Sequence, residues 1–289
     1  MKVVSFGSLN YDLSIWLDRL PGPDETLRAQ RMGVFSGGKG ANQATAAARL
    51  GAAAHLVGCV GNDDRGRWLL DTLSGNGVNI GHVRISQEPT GTAVPLITPS
   101  EVSIVIVAGA NADTGMADAD EAEAVITGAD VLLLQGEVGA AGAQRAAQIA
   151  RSSGTAVLFN PAPVDPVLVK AVTPLADVLV MNRAEQAQVA AIGPRTDQCE
   201  TVITLGSRGA LINGVEVPPY PTQVVDPTGA GDAFCGALGV ALAEGRPLIK
   251  AARFANAAGA LAVATSGAQP SMPTLTAVES LLDAHREGV

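Results

Sequence analysis

The sequence predicts an α/β protein in which a largely parallel sheet is covered by helices on both faces. Three observations carry that prediction. Short β-branched and apolar runs alternate with longer Ala- and Leu-rich helical stretches along most of the chain, the pattern of βα repeats and not of hairpins. At 289 residues, 47% of them hydrophobic and 16% charged, the chain can bury a full core and is too apolar to stay disordered. Aromatics are only 3%, while glycines number 33, which suits close packing of helices on a sheet.

Taken in order, the strand-like runs are KVVSFG (2–7), AHLVGCVG (54–61), ADVLLLQGE (129–137), TAVLFNPAP (155–163), ADVLVMNRAE (176–185) and ETVITLGSRG (200–209). Each is short and rich in Val, Leu or Ile, as strands buried on both faces require. Helical stretches fall at 40–51, 64–76, 117–128, 140–153, 231–244, 247–264 and 274–287. Segments 12–36 and 89–108 break the alternation: apolar and polar residues alternate there around Pro, Gly and Asp turns. They read as antiparallel strands with one exposed face, forming either a small lid or an extension of the sheet edge. No linker or internal repeat divides the chain, so residues 1–289 read as one domain with the lid segments inside it.

Bulk chemistry excludes several classes. Net charge is −9, with 19 basic residues spread thinly, which argues against nucleic acid as a partner. No apolar run reaches the roughly 20 residues of a membrane span, and MKVVSFGSLNYD lacks the apolar region and cleavage site of a signal peptide. Cys59, Cys199 and Cys235 have neither metal-ligand nor disulfide spacing and fit a reducing, cytoplasmic setting. Cys235 lies on an apolar helix, where packing is its expected role.

Polar residues cluster where the strands end, and ligands of open α/β sheets bind outside those carboxyl ends. Asn10 and Asp12 follow the first strand, Glu137 the third, Asn160 the fourth, Asn182 and Glu185 the fifth, and Thr204, Gly206 and Ser207 the sixth. Five strands delivering acids and amides to one edge predict a polar pocket.

Two glycine-rich stretches open helices. SGGKGANQATAAARLG (36–51) offers backbone N–H groups, Lys39 and Asn42, suited to an anion or a polyol; the plainer reading is a tight strand–helix turn. It is not a Walker A loop, because no Ser or Thr follows Lys39. DPTGAGDAFCGALGVAL (226–242) carries Asp226 and Asp232. Asp232 reads in two ways: as a cap accepting from unpaired backbone N–H groups at the positive end of the helix, or as a catalytic base.

Together these residues resemble the ribokinase-like family of carbohydrate kinases, the phosphofructokinase-B type. The resemblance spans nearly the whole chain: GSLNYD (7–12), SGGKGANQATAAARLGA (36–52), VGNDDRG (60–66), GANA (109–112), NPAP (160–163), NRAE (182–185), TLGSRGA (204–210), DPTGAGDAF (226–234) and GAQPSMP (267–273). It implies a three-layer α/β/α sandwich with a β-lid, and transfer of the ATP γ-phosphoryl to a hydroxyl of a small sugar, with Mg²⁺ on the phosphates. D-ribose is the first expectation. Fructose, deoxyribose or a nucleoside stand as alternatives, as does a non-catalytic sugar or nucleotide sensor on the same fold.

Carried over by position, the resemblance makes Asp232 the general base and the N–H groups of Gly229, Ala230, Gly231 and Asp232 the anion hole. Asn10, Asp12, Gly38, Lys39, Asn42 and Glu137 match positions that hold sugar hydroxyls. Asn182 matches the phosphate motif, and Glu185 handles Mg²⁺ through water. Thr204, Gly206 and Ser207 match the nucleotide loop, with Asn256 near the adenine. Asp226, Thr228, Ala262, Thr265, Gly267 and Ser271 match a monovalent-cation site, usually for K⁺. Trp16 and Phe35 would either wall the sugar pocket or pack a lid–lid dimer. QGEV (135–138) and Arg183 depart from the family's usual residues, and the segment 186–200 leaves little room for the usual helix and connection.

Overall fold

A computed structural model describes residues 1–100, 102–196 and 198–285. The strands in chain order are β1 (Lys2–Phe6), β2 (Asn10–Trp16), β3 (Arg31–Gly37), β4 (Ala53–Gly61), β5 (Asn79–Ser86), β6 (Thr92–Ile97), β7 (Val102–Val107), β8 (Val131–Leu134), β9 (Ala156–Phe159), β10 (Val178–Asn182), β11 (Glu200–Thr204), β12 (Ala210–Ile212) and β13 (Val215–Val217). The helices are α1 (Lys39–Arg49), α2 (Asp64–Gly75), α3 (Met116–Glu121), α4 (Glu123–Thr127), α5 (Ala140–Ser153), α6 (Pro166–Val172), α7 (Arg183–Ile192), α8 (Ala230–Ala243), α9 (Leu248–Ala262), α10 (Ala268–Ser271) and α11 (Leu275–Ala284).

Side chains alternate across a strand, and β8 shows what that achieves here. Val131 and Leu133 enter a core shared with Leu50, Phe234, Leu238, Phe254 and Val278, from α1, α8, α9 and α11 or their ends. Leu132 and Leu134 enter a second core with Ala119, Val125, Ala146, Leu168 and Val189, from α3 through α7. Helices thus cover both faces of the main sheet, giving three layers. Burial of each such Leu or Val is worth roughly 1.5–3 kcal/mol, which is why the apolar runs of the sequence locate the strands so well.

The main sheet has nine strands in the order β13-β12-β11-β10-β9-β8-β1-β4-β5. The pairings from β11 to β5 are parallel, and β12 and β13 add an antiparallel edge. From β1 the chain builds outward to β4 and β5, then returns to β1's other side with β8. The order therefore reverses between β1 and β8, the place where an open α/β sheet leaves a crevice for a ligand.

A second sheet, β3-β2-β6-β7, comprises the two lid segments. Its outer pairs, β2–β3 and β6–β7, are antiparallel as expected, but the central β2–β6 pair is parallel. The two hairpins enter from different parts of the chain and join side by side in the same direction. Local alternation specifies a strand's faces and not its partner's direction.

Other boundaries differ from the sequence reading for local reasons. The stretch 117–128 is two short helices that meet at Ala122. The segment 186–200 does accommodate a helix, because α7 starts immediately at the end of β10, on a reciprocal cap between Asn182 and Glu185. Strands β5, β12 and β13 and helix α6 were not legible: β5 is largely polar, and β12 and β13 have three residues each. The predicted helix at 274–287 is seen at 275–284, and residues 286 and 287 lie outside the described residues.

Candidate active site

The crevice between β1 and β8 is bridged by side chains from both. Glu137, three residues beyond β8, accepts a hydrogen bond from Ser8 Oγ and another from the backbone N–H of Lys39 at 3.0 Å. The N–H of Ala41 donates to the Ser8 carbonyl at 2.9 Å, and that of Gly40 to Ser8 Oγ at 3.4 Å. The first N–H groups of α1 are thus already engaged. The anion-binding reading of the 36–51 loop is corrected: Glu137 and Ser8 occupy the positive end of α1, leaving the polyol reading.

Asn10 is fully buried, and its Oδ1 accepts from Asn111 Nδ2 at 2.7 Å. Asn111 also clamps Leu9, donating to its carbonyl at 3.0 Å and accepting from its N–H at 2.9 Å. This asparagine, inside the GANA motif, was not singled out from sequence. It fixes the turn from the main sheet into the lid.

Asp12 lies on β2 opposite Phe35, with Ala93 on its other side. Burial foremost, then the charges of Glu137 and Asp232, push its carboxyl up to about 8, against the pull of Lys39. Lys39 is held above the usual lysine range chiefly by Asp232, with Glu137 and Glu185 adding to it against burial. Three carboxylates, from α7, α8 and the loop after β8, thus act on one ammonium. Asp12 Oδ1 and Asn42 Oδ1 are buried acceptors with no hydrogen-bond partner among the described residues. Orphaned acceptors are costly, and a ligand rich in hydroxyl groups would satisfy both.

Asp232 lies in the first turn of α8, but its carboxylate does not cap that helix. Oδ2 accepts from Asn42 Nδ2 at 2.9 Å and Oδ1 from Gln43 Nε2 at 3.2 Å, both on α1. The helices can approach this closely because Gly236, one turn further along α8, has no side chain. A Cβ there would stand 2.6 Å from the Cβ of Ala46 and 2.7 Å from the Gln43 carbonyl. Cys235 is buried on the next face, where burial raises its thiol well above the usual range.

Gly229 precedes α8 with φ +80°, and a Cβ there would meet Ala268 at 2.9 Å. The N–H groups of Gly229, Gly231 and Asp232 have no acceptor among the described residues. Ala230 differs from expectation: its N–H donates to the Pro227 carbonyl at 3.3 Å. A Cβ on Gly231 would meet nothing within 4 Å, so this end of α8 faces open space.

On the far side of the crevice, Asn182 and Thr204 are register partners at the ends of β10 and β11. Asn182 and Glu185 are bound to each other: Glu185 Oε1 accepts from Asn182 Nδ2 and Oε2 from its N–H, both at 2.8 Å. Burial foremost raises the Glu185 carboxyl. Gly206 and Ser207 are exposed on a short 3₁₀ turn after β11. Two amides have structural work: Asn160 Nδ2 donates to the Val180 carbonyl at 2.9 Å, stapling β9 to β10. Asn256 Nδ2 donates to the carbonyls of Val217 and Pro218 at 3.2 and 3.0 Å, so it braces the loop after β13.

Asp226 joins two loops. Oδ1 accepts from the Thr228 N–H at 2.9 Å, the turn expected before Pro227, and Oδ2 accepts from the Gly267 N–H at 2.9 Å. The Ala262 carbonyl accepts from the Thr265 N–H at 3.3 Å, and Ser271 Oγ donates to the Ala268 carbonyl at 2.7 Å. A carboxylate and backbone carbonyls are oxygen donors of the kind a simple cation takes. Among the described residues, no three His, Cys, Asp or Glu side chains gather as a metal cage. Trp16 and Phe35 meet edge to face at 6.3 Å, and Phe35 covers Gly267, 2.6 Å from where a Cβ would stand.

This arrangement, with polyol acceptors beside a helix start that presents an acid and free N–H groups, is that of a phosphoryl-transfer site. The chain belongs to the pfkB family of carbohydrate kinases, whose family model matches residues 1–275. It is accordingly a phosphotransferase with an alcohol group as acceptor. Ribokinase of Haemophilus influenzae is 36% identical over 93% of this chain and 94% of its own. Ribokinase of Bacillus subtilis is 36% identical over 97% and 99%. The solved structure of Arabidopsis thaliana ribokinase complexed with ribose and ATP has TM-score 0.82 and 32% identity, covering 97% of this chain and 98% of that one.

Proposed function

We propose that this protein is an ATP-dependent ribokinase that converts D-ribose to D-ribose 5-phosphate. The observation that carries the reading is the state of Asp232: its carboxylate is held by α1 and spent on no cap, beside N–H groups without acceptors. The ribokinases named above support ribose as the sugar.

Asp12, Asn42, Lys39 and Asn10, with the backbone at Gly38 and Glu137, hold the sugar hydroxyls, and the unpartnered acceptors of Asp12 and Asn42 fix its orientation. Asp232 takes the proton of the primary hydroxyl as its oxygen bonds to the γ-phosphorus. The bond from that phosphorus to the β-phosphate oxygen breaks, ADP leaves, and Asp232 returns the proton to solvent. The N–H groups of Gly229, Gly231 and Asp232 receive charge on the transferring phosphoryl, with that of Ala230 joining if it leaves Pro227. Asn182, Thr204, Gly206 and Ser207 line the nucleotide side, and Asn256 supports it from behind. Glu185 would hold Mg²⁺ through water, and the ion would supply charge neutralisation on the phosphates. Asp226, Thr228, Ala262, Thr265, Gly267 and Ser271 would hold a monovalent cation, which would supply positive charge beside the anion hole.

Residues 1–289 act as one kinase domain. Val102, Ile104, Val105, Ile106 and Val107 on lid edge strand β7 are all exposed, which supports a homodimer formed through the lid. A cytoplasmic setting accords with three free cysteines and with the absence, among the described residues, of a helix long and apolar enough to cross a membrane. The deciding experiment measures ADP release from ATP with Mg²⁺ and K⁺ across pentoses, hexoses and nucleosides. Ribose gives the highest kcat/KM; preference for another acceptor overturns the substrate, and tight sugar binding without turnover overturns the kinase.

A further inference from the structure

Beneath Asp232 runs a chain of polar groups that no motif reading absorbed. Ser5 Oγ donates to the Gly40 carbonyl at 3.0 Å. Gln135 Nε2 donates to Ser5 Oγ at 3.2 Å and to Gln43 Oε1 at 2.8 Å. Gln43 Nε2 donates to Asp232 Oδ1 at 3.2 Å. Ser5, Gln43 and Gln135 are all fully buried, so water does not substitute for a missing link.

The chain has one sense. The Ser5 hydroxyl hydrogen is committed to a backbone carbonyl, so its oxygen accepts from Gln135. The same amide nitrogen of Gln135 pins the carbonyl of Gln43. Were Gln43 turned over, its oxygen would face the Asp232 carboxylate and its nitrogen would face that of Gln135, two repulsive contacts. Gln135 Oε1 has no partner among the described residues, so the contacts of its nitrogen are made at a desolvation cost.

We infer that Gln135 and Gln43 are positioning residues that orient Asp232, with Gln135 acting only through Gln43. The inference rests on the proposed reading of Asp232 as the base. It gives Asp232 an anchor independent of Asn42, whose other amide atom is free for the sugar. A base held from one side only would swing, and misplacement on the order of 1 Å costs up to about 100-fold in rate.

The test compares Gln43→Met, Gln135→Met, their double variant and Gln135→Leu, which is apolar and of similar volume but loses the donor. Each single variant lowers kcat with ribose and ATP by at least about tenfold, and leaves KM for ribose within about threefold, because the misplaced group acts on the transition state. The double variant has the kcat of Gln43→Met alone, since the route from Gln135 to Asp232 runs through Gln43. Near-normal kcat in both Gln135 variants, or losses that multiply in the double variant, overturns the inference. A crystal structure of ligand-free Gln135→Met reads the same point without turnover: Gln43 leaves Asp232 Oδ1, and persistence of that contact overturns the inference even if ribose proves not to be the substrate.

Discussion

Asn42 and Asp232 stand 190 positions apart in the sequence and 2.9 Å apart in the fold, amide nitrogen to carboxylate oxygen. The contact joins the helix that follows the first glycine-rich stretch to the helix that follows the second. It brings the proposed sugar-binding Asn42 and the proposed base into one hydrogen bond, so in that reading substrate engagement and proton transfer share a group.

Asp232→Asn tests the base directly. The substitution keeps size and helix position, and removes the proton acceptor together with the charge facing Lys39 and one of the two hydrogen bonds received from α1. Turnover falls by about 10²–10⁴, while ribose affinity by calorimetry and the circular-dichroism spectrum stay close to those of the parent. Retention of parental turnover would reduce Asp232 to a structural residue.

Asp12 sets a pH-dependent stability. Its carboxyl, near 3.8 when unperturbed, is pushed to about 8 in the fold, burial being the main cause. Between those values the folded chain keeps a proton that the unfolded chain has lost. The stability this proton lends is complete at acid pH and is lost as pH rises toward 8. Asp12→Asn does not titrate, so the ligand-free variant gains Tm over the parent, and the gap widens from pH 5 to pH 8.5. Each kcal/mol recovered adds about 2–4 °C. The same variant binds ribose more weakly. A gap that shrinks with pH would contradict the buried-carboxyl account.

The glycines at the start of α8 separate stability from activity. A side chain at Gly231 enters open space, whereas one at Gly229 collides with Ala268 from a left-handed backbone. Gly231→Val keeps Tm within about 2 °C and lowers kcat/KM for ATP at least about tenfold, by shielding N–H groups meant for phosphate. Gly229→Ala lowers Tm by several degrees. Thermal melts alongside initial rates distinguish the two, and equal destabilisation would refute the assignment of Gly231 to the cleft.

Asp226→Ala removes the links to Thr228 and Gly267 together. Activity loses its response to K⁺, and rates in K⁺ and in tetramethylammonium become equal. A parental K⁺ titration in this variant would place the cation elsewhere.

Much of this was legible before the fold. The βα alternation located the inner strands, because strands buried on both faces must be apolar throughout, as Val131–Leu134 are. The acids and amides at strand ends marked the crevice, because a parallel sheet puts all those ends on one edge. Less was legible where the signal was weak or shared: β5 is polar at several positions, and NRAE, proposed for the nucleotide side, serves as a helix cap.

By itself the sequence determined the layers, the edge of the sheet that carries polar residues, and the positions of two glycine-opened helices. Each follows from periodicity or from the conformations glycine permits. Only the tertiary structure decided how those helices differ. At α1 the N–H groups are taken by Ser8 and Glu137, and at α8 three remain without acceptors among the described residues. It also decided that Asp232 answers to Asn42 and Gln43 and not to its own helix. The physical reason is range. Propensity and capping act over a few residues, whereas the partner of a buried polar group is chosen by packing between distant segments, here by the close approach of α1 and α8 at Gly236.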